Sequence, residues 1–183
     1  MKTKKLIVAL ALGALSLGSF EVKAQQEEYF RAIGTPHKPK VEITWNRYYS
    51  AEGLWDWMKK IAAAHPNLAK IESIGKSVEG RDILTLTITD FSAGKDTDKP
   101  AMWIDGNIHS NEVQGGEFSL YVAWYLTEMH ADNEFVKQLL KDKTFYITPT
   151  INPDARNNFF KEPNTASSPR SGMLVLDNDG DGQ

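Results

Sequence analysis

The sequence predicts an α/β layered domain, and three patterns carry that prediction. Apolar residues at helical spacing (Leu54, Trp57, Met58, Ile61) precede two loosely alternating stretches, Leu68 to Ile74 and Ile83 to Ile88. An apolar run, Ala101 to Ile104, then leads through Gly106-Asn107 into a long helical pattern with Phe118, Val122, Tyr125, Leu126 and Met129. A β-rich run from Thr144 to Thr150 follows, so helix, strands, helix and strand succeed one another.

The chain opens on a processing signal. Lys2, Lys4 and Lys5 precede an apolar run from Leu6 to Leu17, and Val22-Lys23-Ala24 closes it with a small-x-small pattern. Residues 1–24 read as a signal peptide cleaved after Ala24; the run is too short to span a membrane comfortably and no stop-transfer charges follow. The expected product is exported, periplasmic or extracellular, and has no stable membrane anchor. Residues 25–45 are polar and punctuated by Thr35-Pro36-His37-Lys38-Pro39, an extended lead-in. Ser50 is placed to cap the first helix, and His65-Pro66-Asn67 ends it.

The two alternating stretches are joined by a polar connection holding Gly75 and Gly80, which predicts a hairpin. Phe91 to Pro100 reads as a loop and Ala101 to Ile104 as a buried strand. Asn133 to Lys141 is a short helix with Phe135, Leu139 and Leu140 on one side. From Asn152 onward the chain is rich in Asn, Pro, Ser, Gly and Asp and is expected to form little regular structure. A long loop whose continuation lies elsewhere is the expected reading of that tail.

Charge and composition narrow the function. The chain has 21 basic and 24 acidic side chains, and four of the lysines but only one glutamate lie within the first 24 residues. An acidic balance of this kind argues against nucleic acid as a partner. With no cysteine, there are no disulfides, no lipid attachment and no thiolate metal ligands.

Three constellations carry chemistry. His109 and Glu112 stand three residues apart at the end of an apolar strand. One imidazole and one carboxylate at that spacing can hold two corners of a zinc ion, at a strand end where sheet folds place ligands. Glu112 falls near a helix start, whose dipole favours the anion; Gly106, Gly115 and Gly116 leave room for close approach of chain or substrate. The plain alternative is a solvated strand-to-helix loop. His37, His65 and His130 read as structural. Asn152-Pro153-Asp154 reads as a turn, with Arg156 and Arg170 as nearby forks able to hold a carboxylate, or as surface charges. Asp177, Asp179 and Asp181 followed by Gly182 match the opening half of a calcium loop; an acidic turn without metal fits equally.

Together these segments resemble the zinc carboxypeptidases of the carboxypeptidase A family, peptidase family M14. The resemblance runs from about Tyr48 through Ile74-Gly75-Lys76-Ser77, Glu79-Gly80-Arg81, Gly106-Asn107-Ile108-His109-Ser110-Asn111-Glu112 and Asn152-Pro153-Asp154, with Ala155 where that family has Gly. The tail with Arg170-Ser171-Gly172 and the Asp-rich run is similar to a bacterial branch. The resemblance implies a mixed-sheet carboxypeptidase fold, of which residues 46–183 are the N-terminal half. It implies His109 and Glu112 as zinc ligands, and Arg170, or else Arg156, as the substrate-binding arginine. The substrate implied is a peptide with a free C-terminus. The third ligand, a histidine, and the general base, a glutamate, are expected beyond residue 183, so this chain alone is expected to be inactive. Two other functions fit the same residues: an exported peptide- or calcium-binding module, or a zinc amidase acting on cell-wall peptides.

Overall fold

Ser50 takes extended backbone and its hydroxyl accepts from the Gly53 N–H, opening helix α1 (Ala51–Ala64) as expected of an N-cap. Leu54, Met58 and Ile61 fall on its buried stripe, and the chain turns out at His65. The computed structural model describes residues 36–161 together with Pro163. Residues 1–24, expected to be a signal peptide, and Arg170, Asp177, Asp179 and Asp181 lie outside the described residues.

The predicted hairpin is β1 (Ala69–Lys76) paired antiparallel with β2 (Asp82–Ile88), with a register irregularity between Ser73 and Gly75. Then come β3 (Ala101–Asp105), α2 (Val113–Met129), α3 (Glu134–Asp142, capped by Asn133), β4 (Thr144–Thr148) and α4 (Pro153–Lys161). The sheet order is β1-β2-β4-β3, with β2 and β4 antiparallel and β3 and β4 parallel, so the sheet is mixed. Leu54, Met58 and Ile61 of α1, Leu86 and Ile88 of β2, Leu120 and Trp124 of α2, Leu140 and Ile147 form the core. The extended lead-in belongs to it: Val41 and Ile43 are buried, and the Val41 carbonyl accepts from the Trp124 indole at 2.6 Å.

Two expectations are corrected. β3 is not buried; Met102 and Trp103 are about half exposed because β3 pairs on one side only, with β4. Part of the supposed structureless tail is helix α4. Its start is coded by Asn152, whose side chain accepts from the Ala155 N–H at 3.1 Å, by Pro153 at the first helical position, and by Asp154 in the first turn. The composition that reads as a turn is also that of a helix N-terminus.

The topology gathers three connections at one end of the sheet. The parallel pair puts the C-terminal ends of β3 and β4 side by side, and the antiparallel β2 brings the β1–β2 turn beside them. The opposite end holds the C-termini of α1 and α2. Helix α2 runs between the two ends, about 25 Å at 1.5 Å per residue.

Candidate metal centre

The site begins where β3 ends. Asn107 has φ of 52°, a left-handed conformation that asparagine tolerates better than most residues with a Cβ. That turn carries the chain off the sheet edge into the loop of His109 and back to Glu112, the residue before α2. The start of α2 is pressed against the end of β3: a Cβ on Gly106 would lie 2.4 Å from the Gly115 carbonyl oxygen. A Cβ on Gly116 would lie 2.6 Å from Arg156 Nη1. The close approach these glycines permit is that of the chain and of a guanidinium.

His109 Nδ1 and Glu112 Oε1 converge to 2.8 Å, their side chains 34% and 50% exposed. This is an open pair of one nitrogen and one oxygen donor, a donor set that suits zinc. Among the described residues no group of three or more His, Asp or Glu side chains is placed to hold a metal.

The loop is held from below by α4 and by the two residues that lead into it. Asn152 Nδ2 donates to the Ile108 carbonyl at 3.2 Å, and the Ile151 N–H to the Gly106 carbonyl at 3.1 Å. Arg156 is not a surface charge. It is fully buried, donating to the Tyr49 carbonyl, Asn107 Oδ1, the Val113 carbonyl and Glu117 Oε1. Burial pushes the Glu117 carboxyl above its ordinary value against the attraction of Arg156. The same burial pulls the guanidinium down against the pull of Glu117.

Asp154 and Asn157, on the same helix, hold the neighbouring elements. Asp154 accepts from Ser77 Oγ at 2.8 Å, the Glu79 N–H at 3.0 Å and Arg81 Nη1 at 2.7 Å, which fixes the β1–β2 turn. Burial would raise the Asp154 carboxyl, but those three donors together hold it below the ordinary range. Arg81 also pairs with Glu79, and its guanidinium is raised by Glu79 first and Asp154 second. Asn157 accepts from the Ala51 N–H at 3.0 Å and donates to Glu52 at 2.7 Å, fixing the start of α1.

Comparison with known proteins agrees with this frame. Residues 54–167, more than half of the chain, match the family model for zinc carboxypeptidase, peptidase family M14. The chain belongs to this family. Carboxypeptidase D of Drosophila melanogaster is 30% identical over 148 residues, 81% of this chain and 10% of its own length. An inactive metallocarboxypeptidase, ECM14, of Ajellomyces capsulatus is 30% identical over 135 residues, 74% of this chain and 22% of its own. The crystal structure of thrombin activatable fibrinolysis inhibitor superposes with a TM-score of 0.58 at 27% identity, over 63% of this chain and 28% of that one. The chain thus spans between about a tenth and about a quarter of these relatives. The mixed α/β carboxypeptidase fold follows from the comparison; catalysis does not follow from membership, since the M14 family includes a protein named inactive.

Sequence reasoning missed Asn107 and Glu117 as site-building residues. Both left a signal. Asparagine after glycine at a strand end suits a positive φ, and Glu117 shares the apolar stripe of Val113, Leu120 and Trp124, where a charge needs a partner.

Proposed function

We propose that His109 and Glu112 supply two protein ligands of the zinc of an exported metallocarboxypeptidase that hydrolyses the C-terminal peptide bond of peptides. The observation that carries this is the convergence of His109 Nδ1 and Glu112 Oε1 to 2.8 Å at the open end of the sheet. The family match and the donor chemistry support it. Zinc bound there would polarise a scissile carbonyl and acidify water. Asn107 and the first turn of α2 would hold the ligand pair in place, and the exposure of both side chains would leave room for substrate.

Arg170 is assigned the carboxylate- or oxyanion-facing role, since the buried donors of Arg156 are already occupied within the protein. The remaining zinc ligand, a histidine, and the general base, a glutamate, are assigned to sequence beyond residue 183, and the 183-residue chain alone to an inactive state. Asp177, Asp179 and Asp181 remain candidate calcium ligands on the same footing. Among the described residues no helix is long and apolar enough to cross a membrane, which is compatible with an exported protein that has no helical anchor there.

The test is metal analysis of the complete encoded protein after dialysis, with release of the C-terminal residue from a peptide as the activity. About one zinc per chain is expected, lost in His109→Ala, with cleavage of a free-acid peptide and not of its C-terminal amide. Zinc retained by His109→Ala would remove the ligand assignment. Cleavage of the amidated peptide would favour the cell-wall amidase class.

A further inference from the structure

We infer that Arg156 is the positioning residue of the His109–Glu112 pair, its guanidinium gripping the metal loop at both ends. The inference rests on the zinc reading above and adds to it the device that holds the ligands.

The geometry is specific to this loop. Arg156 Nη1 donates to Asn107 Oδ1 at 2.8 Å, two residues before His109, and to the Val113 carbonyl at 3.0 Å, the residue after Glu112. One nitrogen therefore brackets the segment that presents both donors. From Asn107 the grip continues inward, because its Nδ2 donates to the His109 carbonyl at 2.6 Å and reaches the Ser110 carbonyl at 3.4 Å. The rest of the guanidinium is anchored to structure that does not belong to the loop. Nε and Nη2 donate to the Tyr49 carbonyl at 2.8 and 2.6 Å, and Nη2 to Glu117 Oε1 at 2.5 Å. Glu117 also accepts from the Tyr49 N–H at 2.8 Å, so the pair closes a ring through the lead-in to α1. A planar fork with five donors can join three such elements at once; lysine cannot. The glycine at 116 leaves the space that the guanidinium fills. Groups that orient metal ligands in this way set affinity and ligand geometry without touching the ion.

The test uses the complete protein, with zinc affinity read by chelator competition and ligand geometry by the visible spectrum of the cobalt-loaded form. Two variants separate positioning from packing. Asn107→Gly removes the relay while suiting the positive φ. Arg156→Met with Glu117→Gln removes the grip and both buried charges together, which avoids leaving one charge unpaired. Each is expected to fold, to lose about 10–100-fold in zinc affinity and to shift the cobalt spectrum. All three substitutions combined should lose little more than either variant, because they cut one path. Arg156→Lys should recover only part of the affinity. If the variants fold and match the parent in affinity and spectrum, or if the losses add in full, the positioning role is overturned while the zinc site stands. If the parent itself takes up no zinc, or if His109→Ala binds it equally well, the zinc reading fails and this inference with it. Should the double substitution not fold, Asn107→Gly decides alone.

Discussion

Helix α2 has a histidine–glutamate pair at each end, and the two differ in everything except composition. At its start, His109 and Glu112 meet at 2.8 Å within one loop, with a third to a half of each side chain open to solvent. At its other end His65, where α1 stops, meets Glu128 at 3.0 Å across 63 residues, with 5% and 3% of the side chains exposed. The Glu128 carboxylate also accepts from the Lys40 and Val41 N–H groups at 2.8 and 2.9 Å. Burial works against its charge, yet the donors from His65, Lys40 and Val41 hold its carboxyl below the ordinary range. The far pair is a rivet joining lead-in, α1 and α2. The near pair leaves donor atoms accessible. The two pairs differ in their access to solvent, not in their residue types.

The largest break in this comparison should come from Glu128→Ala. It leaves the buried His65 ring nitrogen and Val41 N–H and the part-buried Lys40 N–H without their acceptor, and each buried donor left unsatisfied costs about 1–3 kcal/mol. Urea or guanidinium unfolding of the complete protein measures it, and Glu128→Gln should recover part of the loss. A cost below about 1 kcal/mol, as for an exposed pair, would show that the rivet contributes little.

A smaller effect separates the carboxylates by the sign of their pH dependence. Glu128 and Asp154 have folded-state values below the ordinary range. Their contribution is present above the unfolded value, near 4, and is lost as pH falls through the folded one. Glu117 is raised, so its contribution is full below the unfolded value and lost as pH rises through its folded one. Unfolding free energy followed from pH 2 to 7 should therefore show a shallower acid-side loss in Glu128→Gln and in Asp154→Asn. Glu117→Gln should remove a slope of the opposite sign. Unchanged profiles in the first two variants would sink the assignment.

The local parts of this arrangement were legible in the sequence. Ser50, the helical stripe of α1, the hairpin and the His109–Glu112 spacing are each coded by a few adjacent residues. The parts that failed depend on partners distant in the chain. Arg156 reads as a surface charge because its acceptors are at 49, 107, 113 and 117. The exposure of β3 follows from its place in the sheet order, which a run of apolar residues does not state. Helix α4 was hidden because Asn-Pro-Asp serves turns and helix starts alike. Glu117 and Glu128 were, like Asn107, recoverable: both glutamates interrupt the apolar stripe of α2, at opposite ends, and a buried charge on such a stripe implies a partner somewhere.

The smallest expected effect sharpens the comparison most. In metal-free protein, His109→Ala and Glu112→Ala should each change stability by no more than about 0.5 kcal/mol, the range of substitutions at exposed positions. Their contact is short, but water reaches both groups, and an exposed ion pair returns little net energy. With zinc added the parent alone should gain, by about 2.7 kcal/mol at a hundredfold excess over the dissociation constant, because the ion binds only the folded state. Thermal unfolding of parent and variants with and without zinc reads both halves. A large metal-free loss in either variant would make the near pair a second rivet and take away the contrast on which the zinc assignment leans. A zinc-dependent gain that survives both substitutions would place the ion on other residues of the protein.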